Sequence, residues 1–351
     1  MLTVSVLDPP VPETFAGMTF PAYRHLLALR PVVRLLSDPG HPPVQPVAVG
    51  GWSGGVPVGL ALADVPVDGP TDPELLSVFV TPAQRGNGIG RRLLQALEKE
   101  ITERGFDTLS GTYTAGRPAT HAVKRMLAAC GWSEPGMRTL SVDLTVEQAQ
   151  SLPWLQRVPV RSGCEIVPWI DITPEEKAAL KRSQEESGWI APDLVPWRHE
   201  VSGFEEVTSV GLRGPDGVVG WVINHEVPPE TVRFTCSYIR KDFGRRARIL
   251  PLYRASIERL SMTVCSRVTF VAPTRHPTMV SFVRRRIEPY ASSVRETYGS
   301  AKALSGSKSS AVSVGSRAEP NGSSISEVVE RSEPIEPGTR DPQFETERGA
   351  S

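Results

Sequence analysis

Residues Ser77 to Glu98 read SVFVTPAQRGNGIGRRLLQALE: a strand, a basic glycine-rich loop and an amphipathic helix in succession. Ser77–Val80 is short, β-branched and aromatic, and Pro82 stops it. Glycines follow at 86, 88 and 90. Ile89, Leu93, Leu94 and Leu97 then recur at helical spacing. A helix N-terminus leaves backbone N–H groups without partners and carries a partial positive charge. Glycines remove the Cβ atoms that would hold a ligand away from that backbone. The loop is therefore an anion cradle suited to a phosphate or pyrophosphate, with Arg85 and Arg91 adding charge at its two ends.

Two common phosphate loops do not fit. A P-loop requires Lys followed by Ser or Thr after its glycines, and none follows here. The dinucleotide-binding fingerprint requires GxGxxG, whereas this loop is GxGxG led by an arginine.

The flanking chain supplies the context. Leu2–Leu7 reads as a strand, Glu13–Arg30 as a helix limited by Pro31, and Val32–Leu36 as a further helical turn. Gln45–Val49 and Val56–Asp64 form a hairpin around the turn-rich Gly50–Gly55. Pro73–Val80 feeds the glycine loop. After the loop helix, with Gly105 as its stop, come a strand at Thr108–Thr114, a helix at Ala119–Ala129 ending in Cys130-Gly131-Trp132, and a strand at Met137–Leu144.

The pattern Arg85-x-x-Gly88-x-Gly90 after a strand ending in Val80-x-Pro82 resembles the GCN5-related N-acetyltransferases, the GNAT family. The element order and the helix–Gly–Trp step at 119–132 extend that resemblance over about 145 residues. It implies a mixed α/β sheet and transfer of an acyl group, usually acetyl, from acetyl-CoA as cosubstrate to an amine by direct attack, without a metal. The resemblance places Gly86, Asn87, Gly88, Ile89, Gly90 and Arg91, with Arg85, at the pyrophosphate. The backbone of Val78, Phe79 and Val80 faces the thioester and pantetheine arm, and His121 lies near the CoA arm. Many members carry a tyrosine acid where this chain has Leu127. Tyr113 is the nearest substitute for that acid and Glu74 the candidate base through a water. The plain alternatives are a half-buried strand tyrosine and an exposed strand-end carboxylate.

The order then repeats. A connector at 146–160 leads to a strand at Cys164–Pro168 and a helix from Thr173-Pro174 to about Ser187, with N-cap and N1 signals. A hairpin follows over Thr208–Leu212 and Val218–His225, then a strand at Glu230–Ile239, a helix at Arg245–Met262, a strand at Arg267–Ala272, a helix at Thr278–Arg286 and a last strand at Ser292–Tyr298. The expectation is two GNAT-like acyl-CoA N-acyltransferase domains in tandem. The first spans 1–145 with the intact loop, and the second, degenerate, spans 161–300. Its loop, Lys241–Ile249, keeps only Gly244 among three arginines, so it is either an altered CoA site or a buttress for the first copy. Tandem architecture also resembles the mycothiol synthase type of acetyltransferase. From 301 to 351 Ser, Gly, Glu and Pro dominate, the composition of a disordered tail.

Composition narrows the class further. The 351 residues are 39% hydrophobic and 22% charged, with formal net charge zero, so nothing global favours nucleic acid or membrane. No apolar run approaches the roughly 20 residues of a membrane span, and the N-terminus lacks a signal-peptide pattern. The four cysteines lack metal or disulfide spacing. A cytoplasmic monomer or homodimer acting on a small-molecule or peptide amine is the expectation. Two rivals stay open: a non-catalytic acyl-CoA sensor or assembly module, and an enzyme working from the arginine-rich second loop on a donor such as aminoacyl-tRNA.

Overall fold

A computed structural model describes residues 1–27, 44–67, 71–157, 162–201, 203–241 and 249–304. Twelve strands form one mixed sheet among them. The first half contributes β1 (Leu2–Leu7), α1 (Arg24–Leu27), β2 (Val44–Ser53), β3 (Val56–Pro66), β4 (Glu74–Val80), α2 (Ile89–Glu103), β5 (Thr108–Thr114), α3 (Thr120–Ala129) and β6 (Gly136–Thr145). A short α4 (Val146–Gln150) links it to β7 (Glu165–Pro168). There follow α5 (Pro174–Ser187), α6 (Trp197–Glu200), β8 (Val210–Gly214), β9 (Gly217–Val227), β10 (Thr231–Ile239), α7 (Leu250–Glu258), β11 (Arg267–Pro273), α8 (Pro277–Arg286) and β12 (Ser293–Ala303).

Strand order across the sheet is β1-β2-β3-β4-β5-β12-β6-β11-β10-β9-β8-β7. The middle of this order departs from two units laid end to end. β12, the last strand of the second half, lies between β5 and β6 and is antiparallel to both. β6, the last strand of the first half, pairs with β12 and β11, both from the second half. Each half thus inserts its last strand into the other. Among the described residues β4–β5 and β10–β11 are the parallel pairs.

Helices cover one face of the sheet along its length. The α2 side chains Leu93, Leu94, Leu97 and Ile101 are fully buried against β2, β3 and β5. On the same face, Leu140, Val142 and Leu144 of β6 meet the α7 and β11 residues Leu252, Ile257, Val268 and Phe270. Among the described residues the opposite face is covered toward its ends. Phe15, Tyr23, Leu26 and Leu27 pack on Leu60 and Leu62 at one end, and Trp169 and Leu180 pack on Trp221 and Ile223 at the other.

Several local expectations are corrected. The stretch read as one helix over Glu13–Arg30 is instead a 3-10 turn at Glu13–Met18, another at Pro21–Tyr23 and the short α1. Pro21 disfavours helical geometry at the residue before it, and Phe20 is extended (φ −64°, ψ 145°). The remainder of that stretch and the turn near 32–36 lie outside the described residues. Gly50 and Gly51 belong to β2 and not to a turn. A Cβ on Gly50 would sit 2.8 Å from the Phe15 ring, so glycine there admits the aromatic core, and the hairpin closes at Gly54-Gly55, both at positive φ. The connector after β6 contains α4, whose Thr145 and Gln148 form a reciprocal cap. β12 runs to Ala303, past the expected tail start at 301; residues 305–351 lie outside the described set.

Candidate active site

The site begins with a flaw in a strand. Pairing between β3 and β4 shifts register between Leu62↔Ser77 and Ala63↔Leu75, which leaves Leu76 as a bulged extra residue. A bulge bends its strand and increases its twist. β4 pairs with β5 only at Glu74↔Ser110 and Leu75↔Gly111, just before that bulge. The approach is close there: a Cβ on Gly111 would lie 3.2 Å from the Leu75 Cβ. Beyond the bulge the two strands part, while β4 stays paired with β3 as far as Gly59↔Val80. The β5-facing edge of Ser77–Val80 therefore has no strand partner among the described residues.

That edge runs into the glycine loop. Gly86 and Gly88 have φ of 87° and 73°, and a Cβ on either would meet nothing within 4 Å. Their side-chain directions are open, and their conformation is one that other residues adopt only with strain. Gly88 is the N-cap of α2, which has no side-chain cap. The first-turn N–H groups of α2 therefore face outward with the helix dipole behind them. The Arg85 side chain folds back so that its Nε donates to the Val80 carbonyl at 3.0 Å. Asn87 and Arg91 are exposed, and Arg85 is too. Ile89 is buried under the loop. Gly90 faces the side chains of Met126, Val80 and Val78, which a Cβ there would meet at 3.1, 3.7 and 3.9 Å. Val78 and Val80 turn toward the α2 core, while Phe79 stands opposite Leu60 in the β3 register.

The two candidate proton carriers lie on opposite faces of the sheet. Tyr113 stands on the helix face, packed with the α2 core. Its hydroxyl oxygen is buried and makes no hydrogen bond among the described residues. Burial raises the phenol above its ordinary pKa, and the neighbouring Tyr298 adds to the shift. Glu74 faces the other way: its Oε1 accepts from the Thr112 hydroxyl at 3.3 Å, and Thr112 alternates with Tyr113 along β5. His121, in the first turn of α3, is exposed. Leu127 is buried in the α2 core, so no hydroxyl is presented from that turn of α3.

The second half repeats the backbone and fills the opening. β10 carries its own extra residue, Thr235, and pairs with β11 only from Thr231 to Phe234. Aromatic rings occupy the region where these strands part. Phe234 stacks on Phe270 at 4.3 Å, and Tyr253 stacks on Phe282 at 5.7 Å. The Tyr253 hydroxyl lies 2.5 Å from the Ser237 hydroxyl, next to the bulge. Residues 242–248 of the arginine-rich loop lie outside the described residues. Among the described residues, no group of His, Cys, Asp and Glu is placed to hold a metal ion, and no helix is long and apolar enough to cross a membrane.

A mixed sheet that parts after a bulged strand, beside a glycine-led helix, is the architecture of the GNAT class, here doubled along one chain. Residues 19–132 match the model of the Acetyltransferase (GNAT) family. Among solved structures, a tandem GNAT protein from the clavulanic acid biosynthesis pathway superposes with a TM-score of 0.54 at 15% identity, covering 87% of this chain and 99% of that one. A GCN5-related N-acetyltransferase from Sphaerobacter thermophilus gives 0.53 at 16% identity, covering 86% and 96%. The glucosamine N-acetyltransferase region of a fungal multi-domain β-N-acetylglucosaminidase gives 0.52 at 15% identity, covering 86% of this chain and 38% of that one. At these identities the likeness is one of fold. No curated protein matches the chain significantly.

The sequence pointed to the glycine loop and the β4 edge, and the structure brings these together. It leaves Glu74 and Tyr113 on opposite faces, and His121 out in solvent. Sequence reasoning missed Tyr298, which lies across β5 from Tyr113, and Lys302, whose ammonium pairs at 2.5 Å with the buried Glu98 of α2. Neither carries a local motif; only the long-range pairing of β12 delivers them.

Proposed function

We propose that the N-terminal half is an acyl-CoA-dependent N-acyltransferase, with acetyl-CoA as donor and a small-molecule or peptide amine as acceptor. One observation carries this reading: an unpaired strand edge that runs directly into an uncapped, glycine-opened helix N-terminus. The edge offers backbone groups to the amides of a pantetheine arm. The helix terminus, flanked by Arg85 and Arg91, offers N–H groups and positive charge to a pyrophosphate. Gly86 and Gly88 fit this use because nothing stands where their side chains would be.

The two faces divide the chemistry. Glu74 and Tyr113 stand on the two faces of the sheet beside the point where β4 and β5 part. An amine entering on the first loses a proton to Glu74, directly or through water. The freed nitrogen attacks the thioester carbonyl, its remaining extra proton passes to water as the amide forms, the C–S bond breaks, and the departing thiolate takes the Tyr113 proton on the second face, which the phenolate regains from solvent. A phenol whose pKa is raised by burial stays protonated throughout the neutral range, as an acid must. Positioning both reactants in one cleft supplies much of the remaining acceleration. Leu127 favours a second reading, an acyl-CoA sensor, because the helix position used for an acid elsewhere in the family is apolar and buried here.

The test is a thermal-shift titration of the full chain with acetyl-CoA, CoA and adenosine 3′,5′-bisphosphate, followed by thiol release against a panel of amines. A ligand at a hundredfold excess over Kd stabilises the folded state by about 2.7 kcal/mol. A shift with acetyl-CoA that Gly88→Trp abolishes, together with amine-dependent thiol release, is the expected result. Binding without release would replace the enzyme by the sensor, and no shift would remove the donor site.

A further inference from the structure

The donor cleft of the first half borders a strand of the second. Across β5, in direct register with Tyr113, stands Tyr298 of β12. Their rings are stacked, with centroids 6.1 Å apart and planes 18° from parallel. The Tyr298 ring is held from several sides. Its hydroxyl donates to Glu296 Oε2 at 3.0 Å. Glu296 in turn is ion-paired with Arg284 of α8, which also reaches Glu288 at 3.1 Å. From α3, the Lys124 ammonium sits 5.1 Å above the Tyr298 ring. Tyr113 has none of these polar anchors, since its hydroxyl is buried and unbonded. Its direction in the cleft is set by ring packing alone.

We propose that this cleft is composite and that Tyr298, carried in by the second half, is the positioning residue for Tyr113. The second half, whose own strand opening is filled by aromatic rings, then serves the first by delivering a fixed ring to its site. The inference rests on the acyltransferase reading for its consequence in turnover, but not for its geometry. A cross-strand aromatic pair that only stabilised the sheet would need neither the Glu296–Arg284 anchor nor a neighbour with an unsatisfied buried hydroxyl.

Charged groups around the pair are Lys124 from α3, Arg284 and Glu288 beside α8, and Glu296 on β12 itself. From β4, Leu75 and Val78 contribute only apolar surface, as do Val123 and Met126 of α3. Loss of the Tyr298 ring admits water to Tyr113 and relieves the burial that raises its pKa.

The experiment uses the full chain labelled with ¹³C at the tyrosine ring carbon that bears the hydroxyl; the chain has six tyrosines, and Tyr113→Phe assigns the resonance. Tyr298→Ala is expected to lower the Tyr113 titration midpoint. It should also reduce amine-dependent thiol release about tenfold or more at an unchanged acetyl-CoA Kd. Tyr298→Phe keeps the ring but loses its tie to Glu296, and should restore most of both. Tyr298→Leu fills the space without a stack and gives the same answer if the alanine variant does not fold. A Tyr113 midpoint and turnover unchanged in Tyr298→Ala or Tyr298→Leu, or an equal effect of Tyr298→Phe and Tyr298→Ala, would overturn the proposal. The titration needs no donor, so an unproductive wild type condemns the acyltransferase reading alone.

Discussion

Tyr113 is a residue at which stability and function pull apart. A buried hydroxyl with no partner costs about 1–3 kcal/mol relative to a satisfied one, and this cost is tolerable where a ligand completes it. Tyr113→Phe is therefore expected to raise the melting temperature of the ligand-free chain while lowering thiol release by about 10²-fold. Calorimetry and single-turnover kinetics on the same preparation check both signs; a variant that melts lower would show that the hydroxyl already has a partner. The loop glycines also separate from each other. Gly88 sits at φ 73° in open space, so Gly88→Ala should destabilise by about 1–2 kcal/mol through backbone strain. Gly90 lies inside α2 against Met126 and the β4 valines. Gly90→Ala gains helix propensity worth about 1 kcal/mol against a 3.1 Å contact with the flexible Met126 side chain, so it should change stability less than Gly88→Ala does, which urea titration reads. These loop residues were legible in the sequence because glycines at 86, 88 and 90 before a helical stripe state a backbone demand. The side of the sheet on which Glu74 and Tyr113 fall was not, because parity along one strand says nothing about its phase relative to a distant strand, least of all across a bulge.

At the scale of elements, most strands and the long helices follow from local pattern, and the departures have local causes such as Pro21 or the cap at Thr145. The state of the second cleft does not. Phe234, Tyr253, Phe270 and Phe282 come from β10, α7, β11 and α8 and meet only in the fold. With these rings packed where the strands part, the chain should bind one acetyl-CoA and not two. Titration calorimetry is expected to give a stoichiometry of one, abolished by Gly88→Trp; a second equivalent surviving that substitution would reopen the C-terminal half as a site. The loop helix is tied to the far half as well. Glu98 of α2 is almost fully buried, accepts from the Trp132 indole at 2.7 Å and pairs with Lys302 of β12. Removing one partner of a buried pair leaves an uncompensated charge and costs about 3–5 kcal/mol. Lys302→Met should thus destabilise by about that much in urea, and adding Glu98→Gln should recover part of it.

Across the whole molecule, the sequence repeats its elements in series, but the sheet interleaves them. Element order is a local property and could be read. The pairing of β12 with β5 and β6 joins residues far apart in the chain and leaves no periodic trace in either strand. Its consequence is physical. All strand partners of β6 come from the second half, and the apolar residues Leu140, Val142 and Leu144 are buried against that half. A chain ending near residue 157 would leave β6 without a ladder and that face in water, and β5 would lose its whole pairing with β12. A chain beginning near residue 162 would remove the strand that separates β12 from β11. Either cut opens the core that Leu140, Val142 and Leu144 share with the second half, so the two halves should fold as one cooperative unit in spite of a length that usually splits into independent domains. The expected outcome is a single calorimetric transition for the full chain, with calorimetric and van't Hoff enthalpies equal. Each fragment alone should lack a cooperative transition and expose apolar surface to a hydrophobic dye, while fragments refolded together recover both the transition and acetyl-CoA binding. Two resolved transitions, or an N-terminal fragment that folds and binds acetyl-CoA by itself, would mean that the exchanged strands are dispensable, and the second half would then need a purpose other than completing the first.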